Sequence, residues 1–129
     1  MMLSVELRIA VADVSMIDSL LNLLDVSQQI ITSHFYYKNQ ELSYSSDIKW
    51  DQYFSSPATG YLHVGQIFLG RVVEDVMIII SGNSDIVDFI IEFRVEYLTD
   101  EDINSIKKFI LKSNLTISEK DIEVICEEY

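Results

Sequence analysis

The residue types that could perform catalytic or metal chemistry are few and scattered in this chain of 129 residues. The imidazole and thiol groups are His34, His63 and Cys126. No two of them stand three or four residues apart, and none belongs to a CxxC pair, whereas zinc sites usually draw ligands from such local pairs. The sequence therefore predicts no metal and no cofactor. It places both histidines on or near strand faces and Cys126 in the core.

Nucleophilic and phosphate-binding motifs do not occur either. The many serines form no GxSxG or SxxK pattern, and the glycines at 60, 65, 70 and 82 form neither GxGxxG nor a P-loop. This pattern predicts a non-enzymatic chain. The alternative is a small enzyme or small-ligand domain with a pocket between the sheet and residues 38–60. In that case the fold would bring His34 or His63 together with carboxylates.

Acidic side chains dominate the charge of the chain, with 21 Asp and Glu against 9 Lys and Arg and a net charge of -12. Such a chain repels phosphate backbones and anionic lipids, so we expect a basic protein partner and neither nucleic acid nor a membrane. Asp88, Glu92 and Glu96 fall on one side of a predicted strand, with Glu6 on a possible neighbour. This acidic face would steer a basic partner. The alternative is an acidic face that is only solvated.

A second candidate contact region lies in residues 38–60, where regular patterns lapse. The segment interleaves acids with large aromatic residues: Asp47, Trp50, Asp51, Tyr53 and Phe54. Aromatic anchors beside charges are typical of protein interface hot spots, which predicts partner binding here. The spacing of Trp50, Tyr53 and Phe54 also fits one helical turn that fixes the loop to the core. Both interpretations stay open at this level.

Hydrophobic periodicity predicts the elements that position these residues. Alternating apolar and polar residues indicate strands at residues 3–11 and 86–98, with apolar groups on one face and charges on the other. Three more strands are expected at residues 29–37, 61–69 and 76–80, and the unbroken apolar run at residues 76–80 predicts a central strand covered on both faces. Helical spacing predicts a helix between Asp13 and Asp25 and another that begins after Thr99. Residues 118–129 fit a final strand better than a short helix.

The order of these elements predicts an α+β fold. Strand, helix and strand are followed by the long loop, three antiparallel strands, a helix and the final strand. Gly82-Asn83 would supply the positive φ angles of a tight hairpin before residues 86–98. We therefore expect a mainly antiparallel sheet with two helices on one face, compatible with an elaborated ferredoxin-like plait. The length predicts a single domain over residues 1–129.

The cellular setting follows from features of the whole chain. With Cys126 as its only cysteine, the chain forms no internal disulfide, and nothing suggests an oxidising compartment. No signal-peptide pattern follows the first residues, and the longest dense apolar run, residues 76–80, is too short to span a membrane. We therefore expect a cytoplasmic protein. Self-association through a strand edge is a further hypothesis.

A small acidic α+β domain of this kind resembles the immunity proteins of bacterial polymorphic toxin systems, including contact-dependent growth inhibition. The resemblance is carried by the acidic strand at residues 88–96 and the aromatic-acidic segment at residues 47–54. It is one of overall character and carries over no individual residues. It implies tight one-to-one binding of a cationic toxin domain, often a nuclease, whose active site or substrate surface is then covered.

Overall fold

The computed structural model describes residues 2–45, 48–113 and 115–128. Its main feature is a seven-stranded antiparallel sheet with the order β3-β2-β4-β5-β6-β1-β7. The strands are β1 Leu3–Val11, β2 Ile30–Tyr37, β3 Gln40–Leu42, β4 Ala58–Phe68, β5 Val72–Gly82, β6 Val87–Val95 and β7 Ile122–Glu128. The α+β class with its antiparallel sheet is confirmed, and so is the strand at the end of the chain. The elaborated ferredoxin-like plait stays a prediction.

Three α-helices accompany the sheet in the described residues: α1 Ser15–Leu23, α2 Trp50–Tyr53 and α3 Asp100–Leu111. A short 3-10 helix, Glu119–Asp121, precedes β7. The predicted Thr99 cap of α3 is confirmed, since its hydroxyl accepts from the Asp102 N–H at 3.0 Å while the Asp102 carboxylate accepts from the Thr99 N–H. None of these helices is long and apolar enough to cross a membrane.

The pairing of β1 with β6 creates two different faces. Their register runs from Leu3 opposite Val95 to Val11 opposite Val87 without interruption. Because neighbouring side chains on a strand point to opposite faces, the odd-numbered residues of both strands share one face and the even-numbered residues the other. The odd residues from 5 to 11 and from 87 to 93 are buried, whereas their even-numbered neighbours, apart from Ile90, keep some exposure.

The helices cover only the odd-numbered face. Buried residues of all three helices belong to one hydrophobic core with the odd residues of β1 and β6. Among them, Ile17 and Leu20 represent α1, Trp50 represents α2 and Ile106 represents α3. None of the even-numbered residues of β1 or β6 belongs to that core. The other face, which we call the open face, is therefore left uncovered by the described helices.

Two local predictions are wrong. Residues 38–60 are more regular than expected, since they contain β3, α2 and the start of β4. Lys38 and Asn39, both at positive φ, form the two-residue turn between β2 and β3. Gly82 and Asn83 have no positive φ; instead, the Asn83 side chain accepts from the main-chain N–H groups of Asp85 and Ile86, at 2.8 and 3.2 Å.

Gly60 occupies a position on the covered face that leaves no room for a side chain. It lies opposite Phe35, and a β-carbon on Gly60 would collide with the Phe35 ring. That ring is fully buried and contacts Trp50 and Tyr53 edge-on. The absence of a side chain at Gly60 therefore lets the α2 aromatic residues pack on the sheet.

We expect Gly60→Ala to lower the free energy of unfolding by about 1–3 kcal/mol, as overpacking of a rigid core does. Urea unfolding measures the change. Gly65→Ala is the matched control on the same strand, because its β-carbon would make only ordinary contacts, the nearest at 3.7 Å. Equal losses in the two variants would contradict this account of Gly60.

Candidate interaction surface

The open face has an apolar centre, which consists of Tyr61, Met77, Ile79 and Ile90. The register places Tyr61 opposite Ile79 and Ile79 opposite Ile90, so three adjacent strands contribute one continuous row. Tyr61 is 41% exposed, whereas Ile90 is only 7% exposed. An exposed aromatic residue beside half-covered aliphatic groups is the composition of the centre of a protein interface.

Carboxylates border this centre on the side of β6, β1 and β7. We call Glu6, Asp88, Glu92 and Glu123 the carboxylate rim. Glu6 lies directly opposite Glu92, and Glu123 lies opposite Arg8. All four belong to the open face by register and strand alternation.

Arg8 lies among the carboxylates of the rim and contacts Glu6 directly. Its guanidinium donates from Nε to Glu6 Oε2 at 3.0 Å and approaches Glu6 Oε1 at 3.4 Å. This hydrogen bond and the negative charge of Glu6 raise the pKa of Arg8, and Asp88 and Glu123 add to the rise. Because four carboxylates surround this one arginine, the rim keeps an excess of negative charge.

Glu92 is a carboxylate of the rim whose pKa is shifted. Partial burial raises its pKa, the opposing Glu6 carboxylate raises it further, and Arg8 partly offsets the rise. Two carboxylates held face to face on adjacent strands repel one another. A cation that approached this pair would relieve the repulsion, which makes the pair a favourable contact point for a lysine or arginine of another molecule.

The structure brings some of the sequence-predicted contact residues together and separates others. Asp88 and Glu92 share the open face of β6, while Glu96 follows the end of that strand at Val95. Asp51 is exposed on α2, on the covered side of the sheet, so it belongs to a different surface. Asp47 lies outside the described residues.

Trp50 and Tyr53 are buried core residues, with exposed fractions of 4% and 2%. Trp50 donates from its indole N–H to Asp18 Oδ1 of α1 at 2.9 Å, and Tyr53 packs edge-on against Phe54. The structure thus has the helical turn that fixes this segment to the core. Both rings are almost wholly buried, and Tyr53 only borders a groove beside α2.

Each of the two histidines lies beside one carboxylate. His34 pairs with Glu41 at 2.7 Å and His63 with Asp75 at 2.6 Å, both away from the core. Within the described residues no three potential ligands are grouped to hold a metal ion. Cys126 is exposed, so its expected core position is wrong; it lies near the end of the last strand, where little packs over it.

A groove of about 410 Å³ does lie beside α2. Its described lining includes Tyr37, Ile48, Lys49 and Gln52, but no histidine and no carboxylate. The convergence of histidine and carboxylates expected for a small enzyme is therefore not found in this described lining.

Sequence reasoning missed the apolar centre of the open face. Met77 and Ile79 belong to an apolar run that fits a strand buried on both faces, and that interpretation is wrong because only the core face is covered. Tyr61 and Glu123 gave no signal, because their place on this surface depends on the strand order. Met77 lies opposite the partly exposed His63 and Glu92, a pairing that only the structure reveals.

We expect stability to fall as pH rises through the titration of Glu92. A raised pKa means that the folded protein holds this proton more tightly than the unfolded chain, so the extra stability is present at low pH and lost above the raised pKa. Glu92→Gln removes this dependence, and its stability relative to the parent should increase with pH. Urea unfolding from about pH 4 to pH 7 tests this, with the exposed Glu127→Gln as control. A pH-independent difference would contradict it.

Comparisons with known proteins match this chain to one family and one fold. No curated protein matches it. A chain of the crystal structure of the toxic C-terminal tip of CdiA from Pseudomonas aeruginosa in complex with immune protein has a similar fold, with a TM-score of 0.72 and 13% identity. The match covers 92% of this chain and 83% of that one. The family described as PABL017 Cdi1I immunity protein matches residues 5–126, and the chain therefore belongs to this immunity protein family.

Proposed function

We propose that this immunity protein neutralises a cognate toxin domain by binding it through the open face, without catalysis and in the cytoplasm. The observation that carries the proposal is an uncovered sheet face with an apolar centre and a carboxylate rim. Family membership supports the toxin partner, and so does the similar fold found in a structure that contains a toxin tip with its immune protein.

The open face is large enough for a stable complex. Seven strands spaced about 4.8 Å apart span about 29 Å, and a strand as long as the nine-residue β1 extends about 30 Å, so the flat area of the sheet is of the order of 850 Å². A standard interface buries about 800 Å² on each side. The open face is therefore as wide as one side of a standard interface.

Charge indicates what kind of toxin surface fits. Asp88 and Glu92 lie beside the apolar centre, so a toxin surface with lysine or arginine around an apolar patch complements both parts. The net charge of -12 attracts a basic domain over longer range. A basic toxin surface that contacts nucleic acid would be covered in this way, which would block access of its substrate.

This proposal assigns toxin contacts to only some of the residues that the sequence predicted. Asp88 and Glu92 contact the toxin in this proposal, together with Glu6, while Tyr61 and Ile79 supply the desolvated centre. Trp50 and Tyr53 act indirectly, since they stabilise the fold. Asp51 lies on the covered side and makes no contact in this arrangement.

Charge reversal on the open face tests the proposal. We expect Asp88→Lys with Glu92→Lys to slow association with the cognate toxin domain roughly tenfold or more, because steering charges act mainly on the association rate. Surface plasmon resonance at low and physiological salt measures the rates. The loss should shrink as salt rises, since the Debye length falls.

The matched control is Asp51→Lys with Glu101→Lys, which changes the net charge by the same amount on exposed residues of α2 and α3. Circular dichroism confirms that both variants are folded. If both variants slow association equally, overall charge alone is responsible, and the open face loses its assigned role.

A further inference from the structure

The outer edge of β7 is a long and regular strand edge. β7 pairs with β1 from Leu3 opposite Glu128 to Ile9 opposite Ile122, and it ends the sheet. No other described strand pairs with its outer side. In an antiparallel strand every second residue directs its N–H and C=O away from the neighbour, so β7 presents a row of unpaired main-chain groups.

The opposite edge of the sheet is protected in ways that β7 lacks. There β3 has only three residues, and β2 has an irregular register between Ile30 and Thr32. β7 has seven residues in one register with β1, and its sequence contains neither proline nor lysine. Its only protective device is negative charge, from Glu123, Glu127 and Glu128.

The negative charge of β7 determines which kind of strand can pair with its outer edge. In a fully overlapping antiparallel pair of two β7 edges centred on Ile125, Glu123 of each copy would lie opposite Glu127 of the other. Like charges at directly opposite positions are destabilising, so a second copy is disfavoured. A strand with lysine or arginine at these positions would form opposite-charge pairs instead.

We infer that the outer edge of β7 accepts a basic β-strand of the toxin domain, which adds an eighth strand to the sheet. The inference rests on the proposed function and names a second contact of the same complex. The edge is continuous with the carboxylate rim, since Glu123 lies opposite Arg8 and Ile125 opposite Glu6. A strand added here would therefore extend the open face.

Residue-resolved amide exchange tests the inference. In the free protein, alternate amides of β7 bond to β1 and exchange slowly, while those in between exchange fast. In the complex with the cognate toxin domain, we expect the fast set to slow at least roughly tenfold, because each gains a hydrogen bond. If the complex forms and the fast set is unchanged, the strand addition is refuted and the open-face proposal stands.

Proline substitution provides the second measurement. Of Cys126→Pro and Glu127→Pro, one removes an outward N–H and the other an N–H bonded to β1, and the exchange data identify which. The outward variant should stay folded and bind the toxin roughly fivefold more weakly, through the loss of one hydrogen bond. Unchanged affinity of that folded variant would overturn the inference. Failure of the parent to bind the toxin at all would instead overturn the proposed function.

A second copy of this chain is the competing partner for the outer edge of β7. Light scattering of the chain alone should give the mass of a monomer. A dimer in which the fast amides of β7 are already slow without toxin would assign the edge to a second copy, and would refute the basic-strand partner.

Discussion

The nine-residue antiparallel register between β1 and β6 is the constraint on which the rest of the structure depends. It commits Val5, Leu7 and Ile9 to the core, together with Phe89 and Ile91 opposite them. A slip of one residue would turn one of the two strands over, which would bury either Glu6 and Arg8 or Glu92 and expose the apolar set of that strand. Because that exchange is so unfavourable, the register also fixes which side chains the open face presents.

The same register holds two carboxylates opposite one another, where their repulsion costs stability. Glu6 and Glu92 are held opposite one another and only partly hydrated, which is why the pKa of Glu92 rises. Arg8 offsets part of the repulsion through its contact with Glu6. A face that served only solubility would need no apolar centre beside a rim whose carboxylates repel one another. The combination fits a surface that is completed by a basic partner, and this carries the proposal for toxin binding.

Sequence patterns predicted the elements better than their arrangement. The period-two alternation identified β1 and β6, and the Thr99 cap located α3, because both signals are local. Strand order is set by contacts between distant segments, so the meeting of Tyr61, Ile79 and Ile90 on one face was not accessible. The turn after β5 was predicted wrongly because the Asn83 side chain replaces the positive φ angles that glycine would supply.

For the candidate site, too, local patterns were predicted better than contacts between distant segments. The alternation of β6 placed Asp88 and Glu92 on one face, which the structure also shows. For Trp50 and Tyr53, one spacing fitted both a buried turn and an exposed contact. Burial against Phe35, from a different strand, decided between the two interpretations.

The most direct test of the central claim is methyl NMR of isoleucine residues in the complex with the cognate toxin domain. Ile79 and Ile90 report on the open face, whereas Ile17 and Ile106 report on the covered side. Binding through the open face predicts shifted or broadened methyl signals for Ile79 and Ile90 and nearly unchanged signals for Ile17 and Ile106. Unchanged signals at Ile79 and Ile90 in a formed complex would contradict the account.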